Sequence, residues 1–195
     1  MDLHADRIKP PVPPRLLVVF SRIERSAFDR LAEAMELPSP DPIHKRYQAG
    51  GQAFALWVEN QIASYCWVSQ GAEWIGEMET HFQMQTGEGY IWDCLTLPAF
   101  RKQGLYTALL GYMIQELHRE GITRIWIGSN QENQASIRGF EKAGFQPIIQ
   151  VWYFKGLGLS WFWIRPYPAA PSDFVSAARK AFSARVNRAT KQIES

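Results

Sequence analysis

The hydrophobic pattern changes period twice between residues 90 and 145, and that change constrains the fold more than any other feature of the chain. Residues 90–97 read as an apolar strand that stops at Pro98. After a short basic stretch, apolar residues recur at Leu105, Leu109, Met113 or Ile114, and Leu117, a stripe with helical spacing. Gly121 ends that helix, and residues 122–127 form a short strand without clean alternation, as strands buried on both faces often read. A second helix is predicted from the N-cap Asn133 to Ala143, with Gly144 as the left-handed residue beyond it. Phe145 then falls where such an ending sets an apolar side chain against Phe140. Strand, helix and strand make a βαβ unit, and open α/β sheets bind ligands at the carboxyl ends of such strands.

Upstream, strands follow one another. Pro10, Pro11, Pro13 and Pro14 make an extended arm, and residues 16–20 read as a strand. Ser26 is a predicted N-cap for a helix with Phe28, Leu31, Ala32 and Met35 on one face, stopped by Pro38 and Pro40. Residues 38–51 read as a loop. Residues 54–58 and 62–68 form a hairpin, 74–82 a further strand, and 86–89 a turn. Successive strands imply an antiparallel start to the sheet. Downstream, residues 148–154 and 159–164, split by Gly156-Leu157-Gly158, read as a closing aromatic hairpin. A last helix, about residues 172–190, carries Phe174, Ala178, Phe182 and Val186 on one face.

Composition bounds the class. The 195 residues suit one good-sized domain, and 46% hydrophobic with 21% charged residues can build a core. A net charge of +2 does not by itself imply nucleic-acid binding. Cys66 and Cys94 lie in apolar runs, which excludes a disulfide scaffold and suits a reducing, cytoplasmic compartment. No apolar run approaches the ~20 residues that cross a bilayer, and the start of the chain has no signal-peptide core. His4, His44, His81 and His118 show no paired spacing, so no metal site is expected. Residues 171–195 carry a net charge of +3; the helix there is expected to pack its Phe174 and Phe182 stripe on the domain. The expected layout is an arm at 1–14, a domain at 15–170 and this basic helix at 171–195.

The stretch that carries chemistry is Leu95-Thr96-Leu97-Pro98-Ala99-Phe100-Arg101-Lys102-Gln103-Gly104-Leu105-Tyr106. A strand ends, and the chain turns through cations and a glycine into a helix. The first turn of a helix offers unpaired N–H groups and the positive end of the helix dipole. Gly104 lets a ligand approach the backbone, and Arg101 and Lys102 add charge, which suits a phosphate or pyrophosphate.

One strand later comes Asn133-Gln134-Ala135-Ser136-Ile137-Arg138-Gly139-Phe140-Glu141-Lys142-Ala143-Gly144-Phe145. In this order the two segments resemble the GNAT superfamily of acyl-CoA-dependent N-acyltransferases, over about residues 52–155. Arg101 and Gly104 match the family's R-x-x-G-x-G/A motif. Asn133, Ser136, Phe140, Lys142, Gly144 and Phe145 match its N-x-x-A/S-x-x-x-Y/F-x-K-x-G-F helix. The resemblance implies an α/β (α+β) fold, one domain with a mixed sheet of about six or seven strands, splayed near residues 95–97, and helices on both faces. It implies transfer of an acyl group, acetyl first, from acetyl-CoA or another acyl-CoA to a primary amine by direct attack. Gln103, Gly104, Leu105, Tyr106 and Thr107, with Arg101 and Lys102, would hold the pyrophosphate; Leu95, Thr96 and Leu97 would supply backbone groups to the thioester and pantetheine; Asn133, Ser136 and Phe140 would line the arm.

Two residues depart from the pattern. Tyr106 stands where the family has a small residue, which is tolerated if its ring points away from the pyrophosphate. Phe140 replaces a tyrosine that in many members protonates the departing thiolate, and a phenyl ring donates no proton. The acid is therefore unassigned; Tyr112 and Tyr153 are available. Candidate bases are Glu77, Glu79, His81, Glu88 and Asp93. If Glu77, Glu79 and His81 lie in one strand they share a face. Asp93, in an apolar run, needs a backbone or cationic partner. Partners would be a small-molecule or peptide amine, with no nucleic acid and no membrane span; the aromatic hairpin is a candidate dimer edge. The competing reading is a non-catalytic acyl-CoA-binding or sensing domain.

Overall fold

The computed structural model describes residues 1–3, 8, 10–156 and 159–183. Its elements in chain order begin with β1 (Val19–Arg22), α1 (Phe28–Ala34), α2 (Asp41–Gln48), β2 (Gln52–Val58) and β3 (Gln61–Ser69). Next come β4 (Ala72–Ile75), β5 (Thr80–Gln83), β6 (Glu88–Thr96), α3 (Leu105–Arg119), β7 (Arg124–Ile127) and α4 (Gln134–Lys142). The chain closes with β8 (Ile149–Gly156), β9 (Leu159–Pro166) and α5 (Ser172–Ser183). It divides into two compact units: residues 1–70 with 86–145, and residues 71–85 with 146 onward.

The first unit holds a five-stranded mixed sheet in the order β1-β2-β3-β6-β7, antiparallel except for the β6–β7 pair. Alternation along its strands sorts the two cores. Phe54, Leu56, Cys66 and Val68 face α3, joining Leu105, Leu109, Met113 and Leu117. Ala53, Ala55, Tyr65 and Trp67 face α1 and α2, joining Phe28, Leu31 and Ile43. Cross-strand partners are matched in size: Ala53 lies opposite Trp67 and Ala55 opposite Tyr65, so each large ring sits over a methyl group. Helices therefore cover both faces, as expected. The main sheet has five strands rather than six or seven, because β4–β5 and β8–β9 form separate two-stranded ribbons.

Several local expectations shift. The first strand starts three residues late, at Val19, after an arm whose Arg15 N–H donates to Gln103 O at 2.9 Å and whose Pro11 lies against Gly111 of α3. Ser26 sits inside a 3-10 turn (Arg25–Ala27) and caps nothing. The expected loop at 38–51 contains α2: Pro42 falls in its first turn, where a missing N–H is harmless, and Ser39 Oγ accepts the Asp41 N–H at 3.3 Å. Tyr47 ties α2 to the sheet, donating to Ile23 O at 2.6 Å and accepting from Ala53 N–H at 3.2 Å. The single strand expected at 74–82 is a hairpin, broken by a 3-10 turn (Gly76–Met78) and a left-handed Glu79 with φ 45°.

In the second unit, β8 pairs with β9 along their length. Phe182 of α5 meets Phe82 of β5 at 5.1 Å and Phe162 of β9 at 6.3 Å, while Phe174, Val175, Ala178 and Ala181 are buried. His4, Leu157, Gly158, Val186 and the rest of the predicted last helix lie outside the described residues. Among the described residues no helix is long and apolar enough to cross a membrane.

Candidate active site

β6 pairs with β7 only from Glu88 to Ile91, so Trp92–Thr96 has no strand partner on that edge among the described residues. A bulge accompanies the opening. Between Tyr65 and Trp67 one residue of β3 faces two of β6, Asp93 and Cys94. Asp93 takes φ 42°, in the left-handed region that aspartate enters more readily than most non-glycine residues. Past the bulge Leu97 N–H donates to Ala63 O at 3.0 Å. By antiparallel alternation Thr96 then turns its N–H and C=O to the open edge. That carbonyl accepts Arg101 Nε at 3.2 Å, which points Arg101 back along the edge. Leu95 O accepts the Ser64 hydroxyl at 3.0 Å.

After β6 a 3-10 turn (Pro98–Phe100) leads into Lys102 at φ 63° and Gly104 at φ 80°. Two left-handed residues so close to one another bend the loop tightly into the helix. Gly104 is the N-cap of α3, and no side chain caps it. This 15-residue helix presents its first-turn N–H groups and dipole to the basic loop. Cationic side chains and an uncapped helix start form a donor set that suits a diphosphate. Pro14 lies along the same loop, its Cα 3.8 Å from where a Gly104 Cβ would stand.

The Asn133 side chain accepts the Ser136 N–H at 3.1 Å and caps α4, as predicted. The far end is the predicted Schellman turn: Phe145 N–H donates to Phe140 O and Gly144 N–H to Glu141 O, each at 3.0 Å. Gly144 has φ 98°, and the Phe140 and Phe145 rings meet edge-on at 6.3 Å. Tyr106 points away from the loop into the groove between α3 and α4. Its ring lies on Gly139, where a Cβ would come within 2.6 Å of Tyr106 Cδ1, and 6.1 Å from the Phe140 ring. Its hydroxyl reaches Ser136 on α4 and Cys94 on β6, and burial holds its pKa well above the ordinary phenol value.

The candidate bases separate. Asp93 has the cationic partner its setting demanded: Arg46 Nη1 of α2 lies 2.5 Å from its Oδ2, and both side chains keep about a third of their surface. The same guanidinium sits over Trp67 at 5.0 Å and Trp92 at 4.8 Å. Glu88 is buried, accepting Trp126 Nε1 at 3.1 Å beside Arg124. Glu77, Glu79 and His81 do not form one row, because the 3-10 turn and the left-handed Glu79 separate them. Glu79 is exposed and paired with Lys155 at 2.6 Å, whose hydrogen bond lowers the Glu79 pKa. His81 packs on Trp74 at 4.9 Å with its Nδ1 buried and unpartnered. These three and Tyr153 belong to the second unit, Asp93 to the first. Tyr112 stacks on Phe20 of β1 at 5.1 Å, at the far end of the sheet from β7.

Arg46 escaped the sequence reading, since its stretch read as a loop and nothing local links it to a carboxylate 47 positions away. The match of Tyr106 to Gly139 did leave a signal: an oversized residue in one motif and a helix-interior glycine in the other.

Comparison with known proteins agrees with this geometry. The profile of the Acetyltransferase (GNAT) family matches residues 26–145. The [Ribosomal protein bS18]-alanine N-acetyltransferase of Escherichia coli (strain K12) is 29% identical over 122 residues, covering 58% of this chain and 76% of the relative. The aminoglycoside N-acetyltransferase AAC(6')-Iy, solved with CoA, superposes with a TM-score of 0.56 at 12% identity, over 71% of this chain and 98% of that one. The aminoglycoside acetyltransferase meta-AAC0020, from an uncultured soil metagenomic sample and solved with sisomicin, gives 0.54 at 14% identity, over 71% and 95%.

Proposed function

The chain belongs to the acetyltransferase (GNAT) family and transfers acetyl to an amine; from that premise we propose that its donor is acetyl-CoA, bound at residues 101–107, and that Asp93 is the base. The observation that carries this reading is the basic turn with two left-handed residues, opening the uncapped α3 beside an edge of β6 that has no strand partner among the described residues.

Acetyl-CoA, when bound, supplies the acetyl thioester. Arg101, Lys102 and the N–H groups of Gln103 to Thr107 hold the pyrophosphate. The Thr96 N–H, turned to the open edge, holds the carbonyl oxygen of the bound acetyl group, with Leu95 and Leu97 shaping that edge. Asn133, Ser136 and Phe140 line the pantetheine arm from α4. A protonated amine has no lone pair, so Asp93 takes the proton, directly or through one water. Its place on the bulge of β6 puts it ahead of Glu77, Glu79 and His81. Arg46 fixes the carboxylate from the other side.

The acceptor is a primary amine on a peptide or a small molecule, and the two kinds of relative suggest the first probes: a peptide with N-terminal alanine and an aminoglycoside. The thiols Cys66 and Cys94 are both free, which suits the cytoplasm. The β8–β9 ribbon, with Trp163 and Phe154 exposed, is the proposed dimer edge.

Calorimetric titration with acetyl-CoA tests the site. Wild type should bind, and Gly104→Glu, which sets a carboxylate among the phosphate donors, should not. Gly104→Asn controls for backbone strain, since asparagine tolerates a positive φ, and should keep most of the affinity. Failure of folded wild type to bind overturns the proposal.

A further inference from the structure

The family's acid position is a phenylalanine here, yet a phenol stands beside it. Tyr106 comes from the first turn of α3, lays its ring where a Gly139 side chain would be, and meets Phe140 at 6.1 Å. An interior glycine weakens a helix relative to alanine, so α4 gives up stability to admit this ring. The hydroxyl bridges Ser136 of α4 and Cys94 of β6. Cys94 is two residues before Thr96, whose N–H faces the open edge. We infer that Tyr106, delivered from α3 to the place Phe140 vacates, is the general acid that protonates the departing CoA sulfur.

The inference rests on the acetyl-CoA reading above. As the amine nitrogen bonds to the acetyl carbon, the carbon–sulfur bond breaks and its electron pair stays on sulfur. The Tyr106 Oη proton passes to that sulfur, giving free thiol. Asp93 passes to water the proton it took from the ammonium and then takes the second proton that the nitrogen loses as the amide forms, while the phenolate regains one from solvent through the Ser136 hydroxyl, so that one proton in all is released. The net products are an amide and CoA. Burial holds the Tyr106 phenol in its protonated form, and the hydroxyl gives up its proton only as negative charge builds on the sulfur beside it. Tyr112, stacked on Phe20 of β1 at the far end of the sheet from β7, has no such placement.

Tyr106→Phe tests this while keeping the ring against Gly139. Ultraviolet titration of the CoA thiol bound to wild type and to the variant needs no acceptor. A phenol donating to sulfur stabilises the thiolate, so the thiol should ionise at a lower pH in the wild-type complex than in Tyr106→Phe. With acetyl-CoA and the alanyl peptide or aminoglycoside probe, kcat should fall by roughly 10²-fold while acetyl-CoA affinity stays within about twofold. Adding Phe140→Tyr, which returns a phenol to the family's position, should restore both readouts. An unchanged thiol titration in Tyr106→Phe with CoA bound overturns the inference and leaves the acetyl-CoA reading standing. Failure of wild type to bind CoA overturns that reading, and this inference with it.

Discussion

Asp93 shows how one residue can be legible by need and illegible by solution. A carboxylate among Trp92, Cys94 and Leu95 would cost several kcal/mol if it were buried unpaired; the structure leaves Asp93 exposed and sets a cation beside it. The sequence states that need; the partner, Arg46, arrives from α2, which packs on one face of the sheet, and lies over Trp67 of β3 and Trp92 of β6. Asp93→Asn keeps the size and polarity of the side chain but removes the proton acceptor. Arg46 stays about a third exposed over its two tryptophans, so the fold should persist. Steady-state kinetics should show kcat lower by roughly 10²–10⁴-fold, with acetyl-CoA affinity retained. A folded variant with wild-type kcat would remove Asp93 from the chemistry. The tyrosine was legible in the opposite sense: Tyr106 looked like an obstacle in the motif until Gly139 was found beneath it.

Elements defined by their own ends were read well. α4 carries its start and stop in neighbouring residues, Asn133 bonding Ser136 and Gly144 turning left-handed before Phe145. Asn133→Ala removes that cap and should destabilise the protein by about 1 kcal/mol. That corresponds to a fall of roughly 2–4 °C in Tm, measured by circular dichroism on heating. Acetyl-CoA binding should weaken too, since the same carboxamide is proposed to meet the pantetheine arm. An unchanged Tm would mean that the cap bond contributes nothing. Elements whose breaks carry no residue signature were misread. Glu79 turns left-handed without being glycine, asparagine or aspartate, so residues 74–82 looked continuous. α2 was hidden by prolines, though one in the first turn of a helix is as compatible with starting a helix as with a loop.

Across the whole molecule, stability should follow pairing and burial. β3 is paired on both edges, and eight of its nine positions are buried. Among the described residues β4 and β5 pair only with each other, and β4 has no buried position. Hydrogen exchange followed by mass spectrometry should therefore find the amides of β3 among the slowest and those of β4–β5 the fastest of the strands. Equal protection in the two regions would contradict this ordering. The chain alone determined what depends on neighbours in sequence: the βαβ unit with its helix stripe, the caps of α4, the basic turn at 101–104, and the two motifs whose order marks the family. Periodicity, capping and turn chemistry act over a few residues, so they can be read there. Tertiary structure alone decided that five strands form the main sheet, that Arg46 meets Asp93, that β6 parts from β7 after Ile91, and that Tyr106 lies over Gly139. Each is a pairing between distant positions, selected by the shape and charge of surfaces that exist only once the chain has folded.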